Sequence, residues 1–300
     1  MAVVFGPVPS RRFGISLGID LSPNIKQCNF DCLYCELQSA KTISSYTDIV
    51  PSEVILNETK IALRQNFNID VLTVTANGEP TLHPEFLQIA QHLNQIKSNA
   101  KTLILSNGST ISNPDVQKAL CEFDIVKLSL DCVSKQCFKK LDRNNENVEV
   151  GGIFEGMKNF RKIYDKQLVI EVLFVADVND SDEEIALIYN ALQCIKPDRV
   201  DIGTIDRPPA YNVLPVSYEK LNSISQFFED LNVYIAFKNR PKNTTDYNEE
   251  QILNLLKRRP LCEEDIQNIM SENSKILLSK LVRECKITVK IHANMKFYKI

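Results

Sequence analysis

The sequence has no tryptophan, which by itself excludes nothing. Its other absences are more telling. No apolar run approaches the length of a membrane span, so no spanning helix and no membrane partner is expected. The start, Met1 to Pro7, lacks the basic and apolar regions of a signal peptide. Neither sign of charge dominates: 35 basic against 38 acidic residues leave −3, too little to imply a general affinity for polyanions. Repeats and low-complexity tracts are missing, which excludes a solenoid and a disordered tail. Nine cysteines is an odd number and only three of them cluster, so a disulfide-stapled secreted scaffold is excluded in favour of a reducing, cytoplasmic setting. What is present is length and apolar content, 300 residues at 44% hydrophobic, enough for one large domain with a small second one.

The patterning alternates between strand and helix. Apolar or β-branched runs read as strands at Gly14–Asp20, Asp70–Ala76, Thr102–Ser106, Ile125–Leu130, Leu168–Val175, Arg199–Ile205 and Val233–Phe237. Between them, helical spacing covers Ser52–Gln65, Pro84–Lys97, Pro114–Cys121, Gly152–Tyr164, Asp182–Cys194 and Ser217–Leu231. Strands separated by helices call for parallel βαβ units with right-handed crossovers. The expected fold class is α/β, a partial (β/α)6 TIM-like barrel over residues 1–240 with its chemistry at the strand C-terminal ends. A polar stretch, Arg240–Asp246, reads as a linker. Three short helical patterns and a hairpin around His292-Ala-Asn294 then predict a winged-helix-like domain over 246–300.

Unusual residues gather at the strand ends. After the first strand comes Cys28-Asn-Phe-Asp-Cys32-Leu-Tyr-Cys35. Three thiolates within eight residues can hold three irons of a cubane and leave the fourth open, whereas electron-transfer clusters use four cysteines. A structural zinc site would also want four ligands, and this loop has no fourth cysteine or histidine; His83 and His92 are the nearest histidines. The bland alternative is three buried thiols acting as small hydrophobes, which leaves the spacing to chance.

The C-x3-C-x2-C spacing, with Tyr34 just before the last cysteine, resembles the signature of the radical S-adenosylmethionine (AdoMet) superfamily. The resemblance implies that Cys28, Cys32 and Cys35 ligate a [4Fe-4S] cluster, that AdoMet chelates the open iron, and that Tyr34 contacts adenine. It implies reductive cleavage of AdoMet to a 5′-deoxyadenosyl radical, and hence a reducing partner such as flavodoxin or ferredoxin. Asn77-Gly-Glu-Pro80, after the second strand, resembles the Gly-Gly-Glu-Pro turn whose backbone binds the AdoMet amino group. It implicates Asn77, Gly78 and Glu79, with Asn in place of the first Gly. Read alone it is a surface turn before a helix. In similar enzymes, polar side chains at the next strand ends contact ribose or the methionyl group; here these are Asn107, Ser129 and Asp131.

Glu171 interrupts the apolar run of its strand. An inward carboxylate there must be paired or meet a polar ligand, unless the strand has a solvent face. Thr204, Asp206 and Arg207 fall at the same expected mouth. Arg207 could clamp a carboxylate or phosphate, or form a loop salt bridge. Gly6-Pro-Val-Pro-Ser-Arg-Arg-Phe-Gly14 and Arg207-Pro-Pro209 narrow the resemblance to a branch related to wyosine synthetase, which builds a tricyclic base in phenylalanine tRNA. Arg11 and Arg12 could then reach an anionic substrate, or be solvated surface. Among the other cysteines, the Cys132-x4-Cys137 pair is the one to weigh for an auxiliary cluster, against ordinary buried thiols at Cys121 and Cys194. His83 opens a helix near the site and reads as a capping or supporting group.

From Lys257 to Ile300 ten basic and five acidic residues leave +5, against −3 for the chain, so the tail could grip tRNA or other nucleic acid. Two other functions compete. An iron–sulfur redox carrier or sensor with a nucleic-acid-binding winged helix requires a fourth ligand and no AdoMet. A structural zinc protein predicts a colourless, redox-silent chain and leaves the barrel unexplained.

Overall fold

The computed structural model describes residues 2–10, 12–66, 68–235, 244–258, 260–292 and 295–300. In chain order they run β1 (Val4–Ser10), β2 (Gly14–Asp20), α1 (Ser52–Gln65), β3 (Val71–Thr75), α2 (Phe86–Ile96), β4 (Lys101–Ser106), α3 (Pro114–Leu120) and β5 (Ile125–Ser129). Then follow α4 (Lys135–Leu141), α5 (Val150–Ile163), β6 (Gln167–Phe174), α6 (Asp182–Ile195), β7 (Arg199–Thr204), α7 (Tyr218–Phe227) and β8 (Val233–Ile235). Strands β2 to β8 pair in parallel and in chain order, and β1 pairs antiparallel with β2, giving one eight-stranded sheet.

All seven expected strands form and pair in parallel, one more than the (β/α)6 reading counts, and an antiparallel edge strand is added. β1 escapes sequence reading because Pro7 and Pro9 argue against a strand; both are tolerated on an edge, which asks nothing of their missing N–H groups. The helix expected over 84–97 is shorter. The Glu79 carboxylate accepts from Thr81 N and starts a separate 3-10 turn, Pro80–Leu82, before α2 begins at Phe86. An unanticipated helix, α4, is started by Ser134, whose hydroxyl accepts from Cys137 N. Residues 236 and 237 of the last expected strand lie outside the described residues.

The sheet is curled. Flat, β2 and β6 would stand about 19 Å apart at the usual strand spacing. Yet Arg12, in the β1–β2 turn, reaches Glu171 on β6 at 2.7 Å and Asp201 on β7 at 3.4 Å. Alternate residues therefore face a lumen and an outer core. Leu72, Val126, Ile170 and Ile202 belong to the large core under the helices. Val71, Leu103, Ile125 and Val169 form a separate apolar layer inside, near the strand N-terminal ends.

Beyond residue 244 come α8 (Glu249–Arg258), β9 (Leu261–Cys262), α9 (Glu263–Ile269), α10 (Glu272–Arg283), β10 (Thr288–His292) and β11 (Met295–Lys299). The strands form an antiparallel sheet ordered β10-β11-β9. The expected linker lies mostly outside the described residues. This unit packs on β1: Val8 shares a core with Ile252 and Leu255, and the Tyr247 hydroxyl donates to Pro7 O at 2.7 Å. No helix among the described residues is long and apolar enough to cross a membrane.

Candidate active site

The loop leaving β2 is fixed before it reaches its first cysteine. Gln27 N donates to Asn77 O at 2.7 Å and Glu79 N donates to Gln27 O at 2.9 Å, a parallel bridge between the cysteine loop and the Asn-Gly-Glu-Pro turn. Gly78 sits at the contact with φ +136°, where a Cβ would lie 1.8 Å from Gln27 O. Only glycine fits, for both conformation and space. Two segments separated by about fifty residues of sequence are thus locked edge to edge.

Cys28, Cys32 and Cys35 are free and half-buried. Burial pushes the Cys28 thiol up to about 12 and raises Cys32 and Cys35, and the carboxylates of Glu79 and Asp142 add to Cys28 and Cys32 respectively. Bound metal would reverse this, because coordination removes the proton outright. Among the described residues, only Cys132, Cys137 and Glu184 bring three ligating atoms within 4.8 Å of one another. The three loop sulfurs are therefore spread wider than the ligands of one zinc ion, which stand about 3.8 Å apart for Zn–S bonds of 2.3 Å.

Around the loop the barrel mouth is polar. Glu79, fully buried, accepts from Ser106 Oγ (2.7 Å), Asn107 N (2.7 Å), Thr81 Oγ1 (2.6 Å) and Thr81 N (3.0 Å). Burial still holds its carboxyl above the usual range. Its side chain is thus committed to the fold, as are the turn's Asn77 N, Asn77 O and Glu79 N, which bond to Asp20 and Gln27. Asn107 donates to Asn29 Oδ1 at 3.0 Å and lies 3.6 Å from Cys28 Sγ. Asp131 accepts from Tyr34 Oη at 2.5 Å and Leu173 N at 2.7 Å, and burial pushes it up to about 7. Asp142, beside Cys32 Sγ at 3.5 Å, is raised by burial and then by Asp131.

Tyr34, Asn107, Ser129 and Asp131 line one small cavity, together with Phe30 and Asp142. Asn77, Gly78 and Glu79 join it through the bond from Asn107 N to Glu79. Two other expected residues stand apart. The Thr204 hydroxyl donates to Phe174 O at 2.7 Å and accepts from Val216 N at 2.9 Å, holding the loop after β7. Glu171 lies lower, bound at Oε1 by Arg12 (2.7 Å) and Lys127 (2.6 Å). Arg12 is therefore engaged inside the barrel rather than displayed as surface, and Arg11 lies outside the described residues.

Arg207 forms a salt bridge to Glu36 at 2.9 Å, Ala210 N donates to Cys35 O at 2.8 Å, and Tyr211 donates to Asp31. The loop after β7 thus covers the cysteine loop. Cys132 and Cys137 are joined as a disulfide, so their thiols hold each other rather than an auxiliary cluster. His83 bridges Val50 O (3.0 Å) and Glu85 N (3.1 Å), a supporting role. Sequence reading missed Asp20 and Asp142, which carry no motif, and Asn29, a spacer position of the cysteine motif. It also missed Lys127 and Asp201, although the rule that singles out Glu171, a charge at an inward strand position, finds them too.

Comparison with known proteins agrees with this geometry. A UPF0026 protein of Helicobacter pylori is 42% identical over 301 residues, covering 99% of this chain and 97% of that protein. The GTP 3′,8-cyclase of Microcystis aeruginosa is 24% identical over 166 residues, 53% of this chain and 48% of that enzyme. Among solved structures, Streptococcus suis SuiB bound to S-adenosylmethionine superposes with a TM-score of 0.55 at 17% identity, over 74% of this chain and 51% of SuiB. The radical SAM superfamily profile matches residues 25–187, a span that takes in the three loop cysteines, the Asn77 turn and strands β3 to β6. On that match the chain belongs to the radical SAM superfamily of enzymes.

Proposed function

We propose that this enzyme uses a [4Fe-4S] cluster on Cys28, Cys32 and Cys35 to cleave AdoMet reductively, and directs the 5′-deoxyadenosyl radical at an RNA base. One observation carries the cofactor reading: the Gln27–Gly78 bridge locks the cysteine loop beside the Asn77-Gly-Glu-Pro80 turn, so cluster and AdoMet sites adjoin. Tyr34, Asn107, Ser129 and Asp131 stand beside the loop at the strand ends and orient adenosine there. The loop after β7 shields the cluster from water, and a flavodoxin- or ferredoxin-like partner supplies the electron. The unit beyond residue 244 has an element order in keeping with a winged helix, and the +5 charge of its Lys257–Ile300 stretch favours contact with tRNA phosphates. The likeness to an enzyme named for GTP agrees with a purine-bearing substrate.

The test is anaerobic reconstitution with iron and sulfide, reduction, and EPR with and without AdoMet. A [4Fe-4S]+ signal that shifts on adding AdoMet supports the reading. A signal indifferent to AdoMet favours a redox carrier, and absence of any cluster overturns the assignment of the cysteines.

A further inference from the structure

Below the strand C-terminal ends the lumen is crossed by an ion lattice that the cofactor reading does not use. Glu171 Oε1 takes Arg12 and Lys127, while the fully buried Asp201 takes Arg199 at 2.8 Å, Lys127 at 3.3 Å and Arg12 at 3.4 Å. A barrel interior serving only as core is filled by branched aliphatic layers. Placing five charges there is unfavourable unless each is paired and the site has a use for them.

The lattice has two faces. Arg12 and Arg199 border a cavity on the side of the strand N-terminal ends, which Glu171 does not line. Glu171 keeps 32% of its side chain exposed although it lies deep in the barrel, and none of the described residues donates to its Oε2. It pairs in register with Ser129 of β5 and sits one inward position below Leu173, whose N–H binds Asp131. Glu171 therefore stands on the lumen side of β6, below the strand ends where AdoMet is expected. Lys127 and Arg12 hold the carboxyl below its ordinary range despite its burial, so it is an acceptor at neutral pH and not a proton donor.

We propose that Glu171 forms the floor of the substrate site, and that the end of the substrate reaching it is an uncharged or cationic nitrogen group with N–H donors: an amine, an amidine or the amino edge of a nucleobase. This rests on the reading that AdoMet binds at the strand ends above. It reverses the expectation that Arg12 meets an anionic substrate, because that cation already serves two carboxylates and an anion would face an ionised Glu171.

The experiment uses anaerobic, reconstituted full-length protein with AdoMet, the cluster oxidised, and saturation-transfer NMR with methylguanidinium, guanosine and acetate as separate probes. Methylguanidinium binds, with or without guanosine, and acetate does not. Binding of guanosine as well identifies a nucleobase edge, and methylguanidinium alone a small amine or amidine. Glu171→Gln lowers the binding at least fivefold while the AdoMet-induced EPR shift persists. If Glu171→Gln does not fold, Glu171→Asp, which keeps the charge and withdraws the oxygen, shows the same loss. Binding of acetate alone, of no probe, or of methylguanidinium equally to the variant overturns the proposal. Loss of the EPR shift in the variant reassigns Glu171 to the cofactor and also overturns it, whereas no shift in the wild type indicts the AdoMet reading instead.

Discussion

Glu79 shows how a motif residue can act through the fold. Its carboxylate accepts four hydrogen bonds, from Thr81 twice, Ser106 and Asn107, and no cation pairs with it among the described residues. Glutamine has one acceptor oxygen, so its amide would point N–H groups at N–H or O–H donors. Each buried donor left unmade costs about 1–3 kcal/mol. Glu79→Gln is expected to lower stability by about 2–3 kcal/mol in urea unfolding of the apo-protein, and to weaken the AdoMet-induced EPR shift. An unchanged unfolding midpoint would show that the hydroxyls turn away without cost. The motif in sequence points to a ligand contact; the structure adds that the side chain ties the end of β4 to the turn.

At the scale of elements, Asp124 joins α2 to β4. It accepts from Thr102 N at 2.8 Å and Thr102 Oγ1 at 3.1 Å, and Lys97, capping α2, pairs with it at 2.5 Å. Burial works to raise its pKa, but Lys97 and the Thr102 bonds outweigh this, and the value falls below the ordinary one. A depressed carboxylate stabilises the fold fully above its unfolded pKa of about 3.9, and that contribution is lost as pH falls through the folded value. Asp124→Asn is therefore expected to cost about 1 kcal/mol at pH 7 and progressively less below about pH 4. Chemical denaturation of both proteins across that range measures it, and a gap independent of pH would refute the charge-based account. The element pattern itself was legible from period and caps. β1 was not, because its prolines mask a strand that only an edge position permits.

At the scale of the whole molecule, the unit beyond residue 244 is joined to the Asn77 turn by charge. Arg258, buried at the end of α8, meets Asp20 at 3.3 Å, donates to Ala2 O and stacks over Phe5 at 4.5 Å. Asp20 Oδ1 in turn accepts from Asn77 N at 3.1 Å. Removing one member of a buried pair strands the other charge, typically at about 3–5 kcal/mol. Arg258→Ala is accordingly expected to lower the thermal midpoint by several degrees, while Lys286→Ala, which breaks the exposed pair with Glu249, leaves it nearly unchanged. Equal effects would mean that the docked face contributes no more than surface charge.

The sequence by itself determined what depends on neighbours along the chain. The cysteine spacing, the Asn-Gly-Glu-Pro turn, the alternation of strand and helix and the inward carboxylate at Glu171 are local patterns, readable because side chains alternate with period 2 or 3.6. Only the tertiary structure decided which of these patterns meet. Gln27 faces Gly78, Arg12 crosses the lumen to Glu171, Ala210 covers Cys35 and Arg258 reaches Asp20 because the sheet curls and brings distant segments together. Such contacts leave no periodic trace in the chain. Asp20 and Asp142 therefore looked ordinary in sequence, and Arg12 read as a substrate contact or as surface, until the fold placed them.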